Sequence, residues 1–291
     1  MNIFDEIFDA RILNIFKAST VSGVPYYLLA DNEGPALYKK EFIKHLELAK
    51  VYGGLTKENK RRLRTTKWEI FWQTKAEFQV AYFINKMLGY EISFKPEGNK
   101  NCYGDVSLIV NESYSIFVEI KSPYRQTPNG VWTGDDSQVI KSNLDKAYRQ
   151  VPYDKPSVVV FVADLRAGSP NKDLMIKSLY GEMVGVPKWK TVGIEIEVVD
   201  CFEWSGYFQK NIHRKISAVA VSNLAVTNPW VNHLFYGSSE PENKSDIYNY
   251  TFDVYHNPFA NIPIETTIFK QYPQFCLNAN KSEMVWVNKN Q

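Results

Sequence analysis

Cysteine and histidine are scarce in this chain of 291 residues, which contains three cysteines and four histidines. The cysteines are odd in number and lack the spacing of metal ligands, and three of the histidines are widely separated: Cys102, Cys201, Cys276, His213, His233 and His256. These absences argue against a disulfide-stapled scaffold and against a zinc site. They favour a reducing compartment, and we expect the cytoplasm.

Net charge and long apolar runs are lacking too. The 34 basic and 32 acidic residues leave a charge of +2, so any nucleic-acid-binding surface has to be local. No apolar run reaches transmembrane length, and the opening MNIFDEIFDARIL carries acids where a signal peptide would carry lysines. We therefore expect no membrane contact. Glycine-rich phosphate loops and nucleophile elbows are also missing.

What the sequence does contain is a pair of alternating segments, 104–110 (GDVSLIV) and 114–121 (YSIFVEIK), separated by a polar turn. The period of two predicts a β-hairpin. Centred on Glu112, it pairs Val110 with Tyr114, Leu108 with Ile116 and Val106 with Val118, and it places Asp105 opposite Glu119. Like charges opposite each other destabilise a sheet unless a cation lies between them, and hard divalent cations prefer carboxylate oxygens.

The residues Asp105…Glu119-x-Lys121 resemble the catalytic signature of the PD-(D/E)xK nucleases, the restriction-endonuclease-like superfamily. The proline that precedes the aspartate in the family is Gly104 here, and the resemblance covers roughly residues 67–165. It implies that Asp105 and Glu119, with the main-chain carbonyl of Ile120, bind Mg²⁺ or Mn²⁺. It also implies a catalytic role for Lys121. A salt bridge from Lys121 to Glu119 or Asp105 is the competing interpretation.

A helix is predicted from a capping box at Thr66-Lys67-Trp68-Glu69 to a terminating Gly89. Glu77 lies in the middle of its apolar face, where a carboxylate is costly unless it is paired or binds a cation. The resemblance implies an extra glutamate ligand on this helix, so Glu77 is the predicted third metal ligand. The alternative is a bond to a neighbouring lysine or backbone amide.

A second helix is predicted over about 136–151, after a loop rich in Pro, Gly and Thr at 122–134. The resemblance implies a lysine or glutamine on this helix near the metal. Gln150 is the predicted catalytic residue, and Lys146, on the same flank, is a predicted nucleic-acid contact. A solvated flank is the alternative for both.

Ahead of the hairpin lies a basic stretch at 57–67, opposed by Glu58 alone. It predicts a phosphate-contacting patch, with a solvated helix face as the alternative. The predicted nucleic-acid contacts in this stretch are Lys60, Arg61, Arg62 and Arg64.

Strands predicted at 90–96 and 157–164 complete the order helix, strand, strand, strand, helix, strand. The predicted class is α/β, a restriction-endonuclease-like α-β-β-β-α-β core with a mixed central sheet flanked by helices. A helix at 171–180 and strands at 192–199 and 216–221 follow. The predicted organisation has three parts: a helical segment at 1–65, the core at 66–222, and an irregular C-terminal extension at 223–291 packed on the core.

The sequence therefore predicts a metal-dependent nuclease that hydrolyses phosphodiester bonds, with DNA as the favoured substrate, in restriction, defence or repair. Nucleic acid is the expected partner, and a homodimer is a further possibility. Two alternatives stay open. One is a nucleic-acid-binding module of the same fold with a degenerate site, and the other is a non-enzymatic protein-interaction domain, for which the aromatic content of 14% would suit an interface.

Overall fold

The computed structural model describes residues 2–18, 33–99, 102–123, 136–163, 170–189, 196–226, 248–278 and 283–288. Its α-helices are α1 Ile3–Ile7, α2 Ala10–Ala18, α3 Glu33–Val51, α4 Lys57–Leu63, α5 Trp68–Tyr82, α6 Ser137–Gln150 and α7 Lys172–Tyr180. The strands are β1 Glu91–Phe94, β2 Val106–Asn111, β3 Tyr114–Lys121, β4 Ser157–Ala163, β5 Met183–Trp189, β6 Ile196–Phe202, β7 Ala218–Val226, β8 Tyr248–His256, β9 Gln274–Leu277 and β10 Met284–Val287.

Eight of these strands form one mixed sheet in the order β1-β2-β3-β4-β7-β8-β9-β10, and β5 and β6 form a separate hairpin. The pairs β3–β4 and β4–β7 are parallel, whereas β1–β2, β2–β3 and β7–β8 are antiparallel. The α/β class with a mixed sheet flanked by helices is thus confirmed. The six elements α5, β1, β2, β3, α6 and β4 follow one another in the predicted order.

The sheet is buried on both faces. On one face α5 packs against the inward-facing residues of β2 and β3, including Val106, Leu108 and Ile120. On the other face α6 and α7 cover Phe117 and Val159. Strand β4 is apolar throughout because both of its faces are covered, as its continuous hydrophobic run predicted. Helices α1 to α5 share a third cluster of buried aromatic and aliphatic side chains.

The predicted hairpin register holds for most of its length. Val106 pairs with Val118 and Leu108 with Ile116, but Asn111 pairs with Tyr114, and the register shifts between Ile109 and Asn111. The predicted pairing of Val110 with Tyr114 is therefore wrong. A bulge accommodates the extra residue, so the turn is shorter than expected while the strand ends near Asp105 and Glu119 keep their alignment.

The boundaries of α5 differ from the prediction at one end. The capping box is wrong, because Lys67 occupies the N-cap position and no side chain caps the helix there. Gly89 does terminate this segment with a φ of 78°, after a π-helical turn at Phe83–Met87. The predicted helical segment at 1–65 begins with two short helices, α1 and α2, and Asp9 between them accepts a hydrogen bond from the Ile12 amide.

The prediction of an irregular C-terminal extension is wrong. Strand β7 crosses the predicted boundary at 222/223, and β8, β9 and β10 continue the sheet. The signal for β8 was present in the sequence, because Tyr248–His256 (YNYTFDVYH) alternates apolar and polar residues with the same period of two that predicts the hairpin. Residues 124–134 of the predicted loop and 192–195 of the predicted strand at 192–199 lie outside the described residues. None of the described helices has the length and apolarity needed to cross a membrane.

Alanine variants of Phe252 in β8 and Phe161 in β4 test whether the C-terminal strands unfold together with the rest of the sheet. Both side chains are buried, so truncation to alanine should lower the free energy of unfolding by about 3–5 kcal/mol in each case. Chemical denaturation monitored by circular dichroism and tryptophan fluorescence should give one shared transition. Ile212→Ala, at an exposed position, is the control and should change stability by less than about 0.5 kcal/mol. Separate transitions for Phe252→Ala would show that β8 belongs to an independent unit.

Candidate functional site

The start of β2 and the end of β3 bring Asp105 and Glu119, the predicted metal ligands of the hairpin, together at one end of these two strands. Asp105 immediately precedes β2, and Glu119 and Lys121 lie at the end of β3, its antiparallel neighbour. The Oδ2 atom of Asp105 accepts a hydrogen bond of 2.7 Å from the Ile120 amide. This bond fixes one oxygen of the aspartate and leaves the other free to bind a ligand.

Two glycines allow this close assembly. Gly104 packs against the ring of Phe117, and a Cβ at this position would collide with that ring. This contact is a physical reason for glycine where the nuclease signature has proline. Gly98 lies against the main-chain carbonyl of Gln150, so a side chain there would push the end of α6 away from the strands.

Lys121 is held between two side chains. Its Nζ atom lies 2.6 Å from Oε1 of Glu119 and donates to Oε1 of Gln150 at 3.2 Å. The predicted grouping of Glu119, Lys121 and Gln150 is therefore present, and so is the salt bridge that competed with the catalytic interpretation of Lys121. Lys146, on the same helix, is exposed, and none of the described site residues bonds to it.

Glu119 is buried, and its second oxygen, Oε2, has no hydrogen-bond partner among the described residues. Burial raises the pKa of Glu119, the Lys121 ammonium lowers it, and the Glu77 charge raises it again. Burial raises the pKa of Asp105 well above its ordinary value, and Glu119 and Glu77 raise it further. A buried carboxylate oxygen without a hydrogen-bond partner is costly beside a second, half-buried acid, and a cation between them would relieve that cost.

Glu77 reaches this edge of the sheet from α5, and its charge acts on both strand acids. It is paired, however, with Arg62 of α4. The Nη1 and Nη2 atoms of Arg62 donate to the two carboxylate oxygens at 3.1 and 2.8 Å. The alternative predicted for Glu77 was a lysine or backbone amide, whereas the observed partner is an arginine from the basic stretch.

Gln73 is a site residue that the sequence reading did not identify. Its Nε2 atom donates to the Ile120 carbonyl at 2.8 Å, and its Oε1 atom accepts from the Ser122 amide at 3.1 Å. The side chain thus ties α5 to the end of β3, one helical turn before Glu77. The available signal was a glutamine four residues before Glu77 on an otherwise apolar face.

Among the described residues, no three histidine, cysteine, aspartate or glutamate side chains are grouped as a metal site. Glu77 is turned to Arg62, which leaves the Asp105–Glu119 pair. The chemistry of that pair, two carboxylates beside the Ile120 carbonyl with one buried oxygen unsatisfied, fits a hard divalent cation. Glu77 would join these ligands on release from Arg62.

Most of the predicted nucleic-acid contacts in the basic stretch have partners within the chain. Lys60 forms an ion pair with Glu6, and Arg64 donates to the main-chain carbonyls of Glu6 and Ile7. With Arg62 paired to Glu77, Arg61 is the predicted contact of this stretch that faces solvent. The stretch therefore fixes α4 to its neighbours and also presents charge to solvent.

A groove of two compartments runs along α4, and its described lining does not include Asp105, Glu119 or Glu77. The first, about 450 Å³, begins at Gln73 and Ser122, and the second, about 860 Å³, extends to α2. Both compartments share Glu58, Arg61 and Thr65. Six cationic side chains line the groove against Glu58 and Glu69: Arg11, Lys57, Lys60, Arg61, Arg62 and Arg64.

Comparisons of the chain with protein-family models, with curated proteins and with solved structures found no match. Function is therefore inferred from the site itself.

Asp105→Asn should stabilise the metal-free protein at neutral pH. Folding raises the pKa of Asp105 above that of an unfolded aspartate, which is about 4. As the pH rises above about 4, the unfolded state ionises more readily than the folded state, so the free energy of unfolding falls. The amide oxygen can still accept the Ile120 hydrogen bond. In EDTA at pH 7–8 we expect a Tm at least about 2 °C higher than that of the wild type.

The gain in Tm should disappear below about pH 4, where the carboxyl group is protonated in both states. Melting curves across this pH range are the measurement, and exposed Asp154→Asn is the control, which should leave Tm unchanged. A lower Tm for Asp105→Asn at neutral pH would mean that the ionised carboxylate stabilises the fold.

Proposed function

We propose that the chain is a metal-dependent nuclease of the restriction-endonuclease-like type, which hydrolyses phosphodiester bonds with DNA as the favoured substrate. The observation that carries the proposal is the placement of Asp105 and Glu119 together beside Lys121, with one buried oxygen of Glu119 left unsatisfied. The charge of Glu77 acts on both acids. Perturbed acids gathered in this way are typical of catalytic sites. Restriction, defence or repair is the corresponding process, and the homodimer stays a prediction.

Asp105, Glu119 and the Ile120 carbonyl would hold Mg²⁺ or Mn²⁺, with Glu77 as a further ligand. Such an ion polarises a phosphodiester oxygen, lowers the pKa of a bound water and stabilises the charge of the transition state. The protein places the ligands in advance. The Ile120 amide orients Asp105, and Gln73 holds the strand end that carries the carbonyl.

Lys121 supplies positive charge on the same face of β3 as Glu119. Gln150 and Glu119 hold its ammonium group at the strand end, where it can donate to a phosphate oxygen and offset developing negative charge. Gln150 therefore acts through Lys121 as a positioning residue.

The groove supports a polyanionic substrate. It leads directly from Ser122, next to Lys121, past Arg61 and Arg62 towards α2. Apart from Ile12 and Ile70, its lining consists of charged and polar side chains and includes no described aromatic residue. Contacts to the backbone phosphates rather than stacking with bases would therefore dominate binding, with little sequence preference and a strong dependence on salt.

One set of contacts favours the degenerate alternative, a nucleic-acid-binding module of the same fold. Lys121 and Arg62 already neutralise Glu119 and Glu77, so part of the negative charge is compensated without metal. Titration calorimetry with Mg²⁺ separates the two functions. Heat of binding that is lost in Asp105→Ala supports the nuclease, whereas DNA binding with no Mg²⁺ uptake supports the module.

Asp105→Ala and Lys121→Ala should each reduce Mg²⁺-dependent cleavage by at least about 10²-fold. The first removes a proposed ligand of the metal, and the second removes the positive charge placed at the reacting phosphate. Cleavage of linear, circular and branched DNA, followed on gels, is the measurement, and EDTA should abolish it. Lys40→Ala, an exposed change on α3 outside the groove lining, should retain wild-type rates. Wild-type cleavage that persists undiminished in EDTA would contradict the metal mechanism.

Arg61→Ala should weaken DNA binding in EDTA and lower the slope of log Kd against log salt by about one, the effect of losing one phosphate contact. Fluorescence anisotropy at several salt concentrations is the measurement. The same Lys40→Ala variant should leave both quantities unchanged. An unaltered slope in Arg61→Ala would place the substrate on another surface.

A further inference from the structure

The ion pair of Arg62 and Glu77 lies between the groove and the strand acids. It is bidentate, with both carboxylate oxygens of Glu77 accepting from the guanidinium group, and the Glu77 side chain is only 7% exposed. Nη1 of Arg62 also donates to Oδ1 of Asn59 at 3.3 Å. Such planar, charge-assisted pairs are strong, so neither partner is released without a replacement.

Each partner lies where a different ligand is expected. Glu77 acts electrostatically on Asp105 and Glu119, the two acids proposed to hold the metal. Arg62 lines the groove compartment that begins at Gln73 and Ser122, where a phosphate would arrive. Glu77 has no oxygen free of Arg62 in this arrangement, and Arg62 has its two terminal nitrogens engaged by Glu77 and Asn59.

We infer that Arg62 couples metal binding to substrate binding by exchanging Glu77 for a backbone phosphate. This inference rests on the proposed function. A divalent ion that takes Glu77 as a ligand leaves Arg62 in need of an anion. Two acids line the same compartment, but Glu58 is paired with Lys95 and Glu69 is exposed. A phosphate that enters the groove is therefore the anion that we expect Arg62 to bind. A phosphate that takes Arg62 first leaves Glu77 in need of a cation. Each ligand therefore raises the affinity for the other by the same factor.

The neighbouring basic residues do not share this position. Lys60 and Arg64 are tied to α1, at Glu6 and Ile7. Arg61 lines both groove compartments but is not bonded to any of the three described acids. Among the described basic residues of α4, Arg62 is the one that connects the groove to the acidic site.

The test measures binding without cleavage. The DNA probe carries phosphorothioate linkages, contains a duplex and a single-stranded part, and is checked on gels to remain intact. Anisotropy gives its Kd in EDTA and in saturating Mn²⁺, and electron paramagnetic resonance of free Mn²⁺ gives the metal Kd with and without DNA. For the wild type we expect Mn²⁺ to lower the Kd of DNA, and DNA to lower the Kd of Mn²⁺, by the same factor of between about 5 and 150.

Arg62→Met and Glu77→Gln should each bring this factor close to one. The two variants should differ in the ligand for which affinity increases. In Arg62→Met, Glu77 is free from the start, so Mn²⁺ without DNA should bind more tightly than to the wild type. In Glu77→Gln, Arg62 is free, so DNA in EDTA should bind more tightly than to the wild type. A purely structural ion pair would predict losses in both variants. Either variant tests the inference by itself if the other does not fold.

Arg61→Met is the matched control. It should weaken DNA binding equally in EDTA and in Mn²⁺ and leave the coupling factor unchanged. An equal factor in the wild type and in Arg62→Met would overturn the inference while the nuclease proposal stands. Failure of the wild type to bind Mn²⁺, with or without DNA, would overturn both.

Discussion

The placement of a buried carboxylate, Glu119, beside a half-buried one, Asp105, at the same end of two neighbouring strands is the constraint on which the rest of the site depends. Burial and the charges of Glu119 and Glu77 raise the cost of ionising Asp105, and burial and the Glu77 charge raise that of Glu119. The Ile120 amide and the Lys121 ammonium compensate part of this cost. The compensation is incomplete, because one oxygen of Glu119 is buried without a partner. Groups that weaken a fold in this way persist where function requires them, and the surrounding structure has to supply the stability.

That stability comes from a sheet covered on both faces. The apolar strand β4 lies between β3 and β7, and the order of strands continues through β8 to β10, so the hairpin that carries the acids is one side of an eight-stranded sheet. Helices α5 and α6 pack on opposite faces and deliver Glu77 and Gln150 to the same strand end. The site is therefore built on regular elements, which hold side chains more rigidly than loops do.

The sequence predicted the parts of this arrangement that depend on local periodicity. The hairpin, its register near Asp105, helix α6 and strand β4 all follow from patterns of two or 3.6 residues, and they place Asp105, Glu119, Lys121 and Gln150 correctly as neighbours. Contacts between distant segments were not predictable in this way. Arg62 reaches Glu77 from a separate helix, and Gln73 bonds to a main-chain atom of β3. The pairing of β8 with β7 is likewise a contact between distant segments, although the alternation within β8 follows the period of a strand. The bulge near the hairpin turn was missed because it is a feature of the pairing between β2 and β3, which the pattern within one strand does not show.

Charge balance links the ion pairs of the site to its proposed ligands. With every group ionised, Asp105, Glu119 and Glu77 bring three negative charges, and Lys121 and Arg62 bring two positive ones. The excess of one negative charge is consistent with the raised pKa of Asp105, since uptake of one proton restores neutrality. A divalent ion in place of that proton changes the excess to one positive charge, which a single phosphodiester neutralises. The proposed metal and substrate thus complete the charge balance together, whereas either alone leaves the buried site charged.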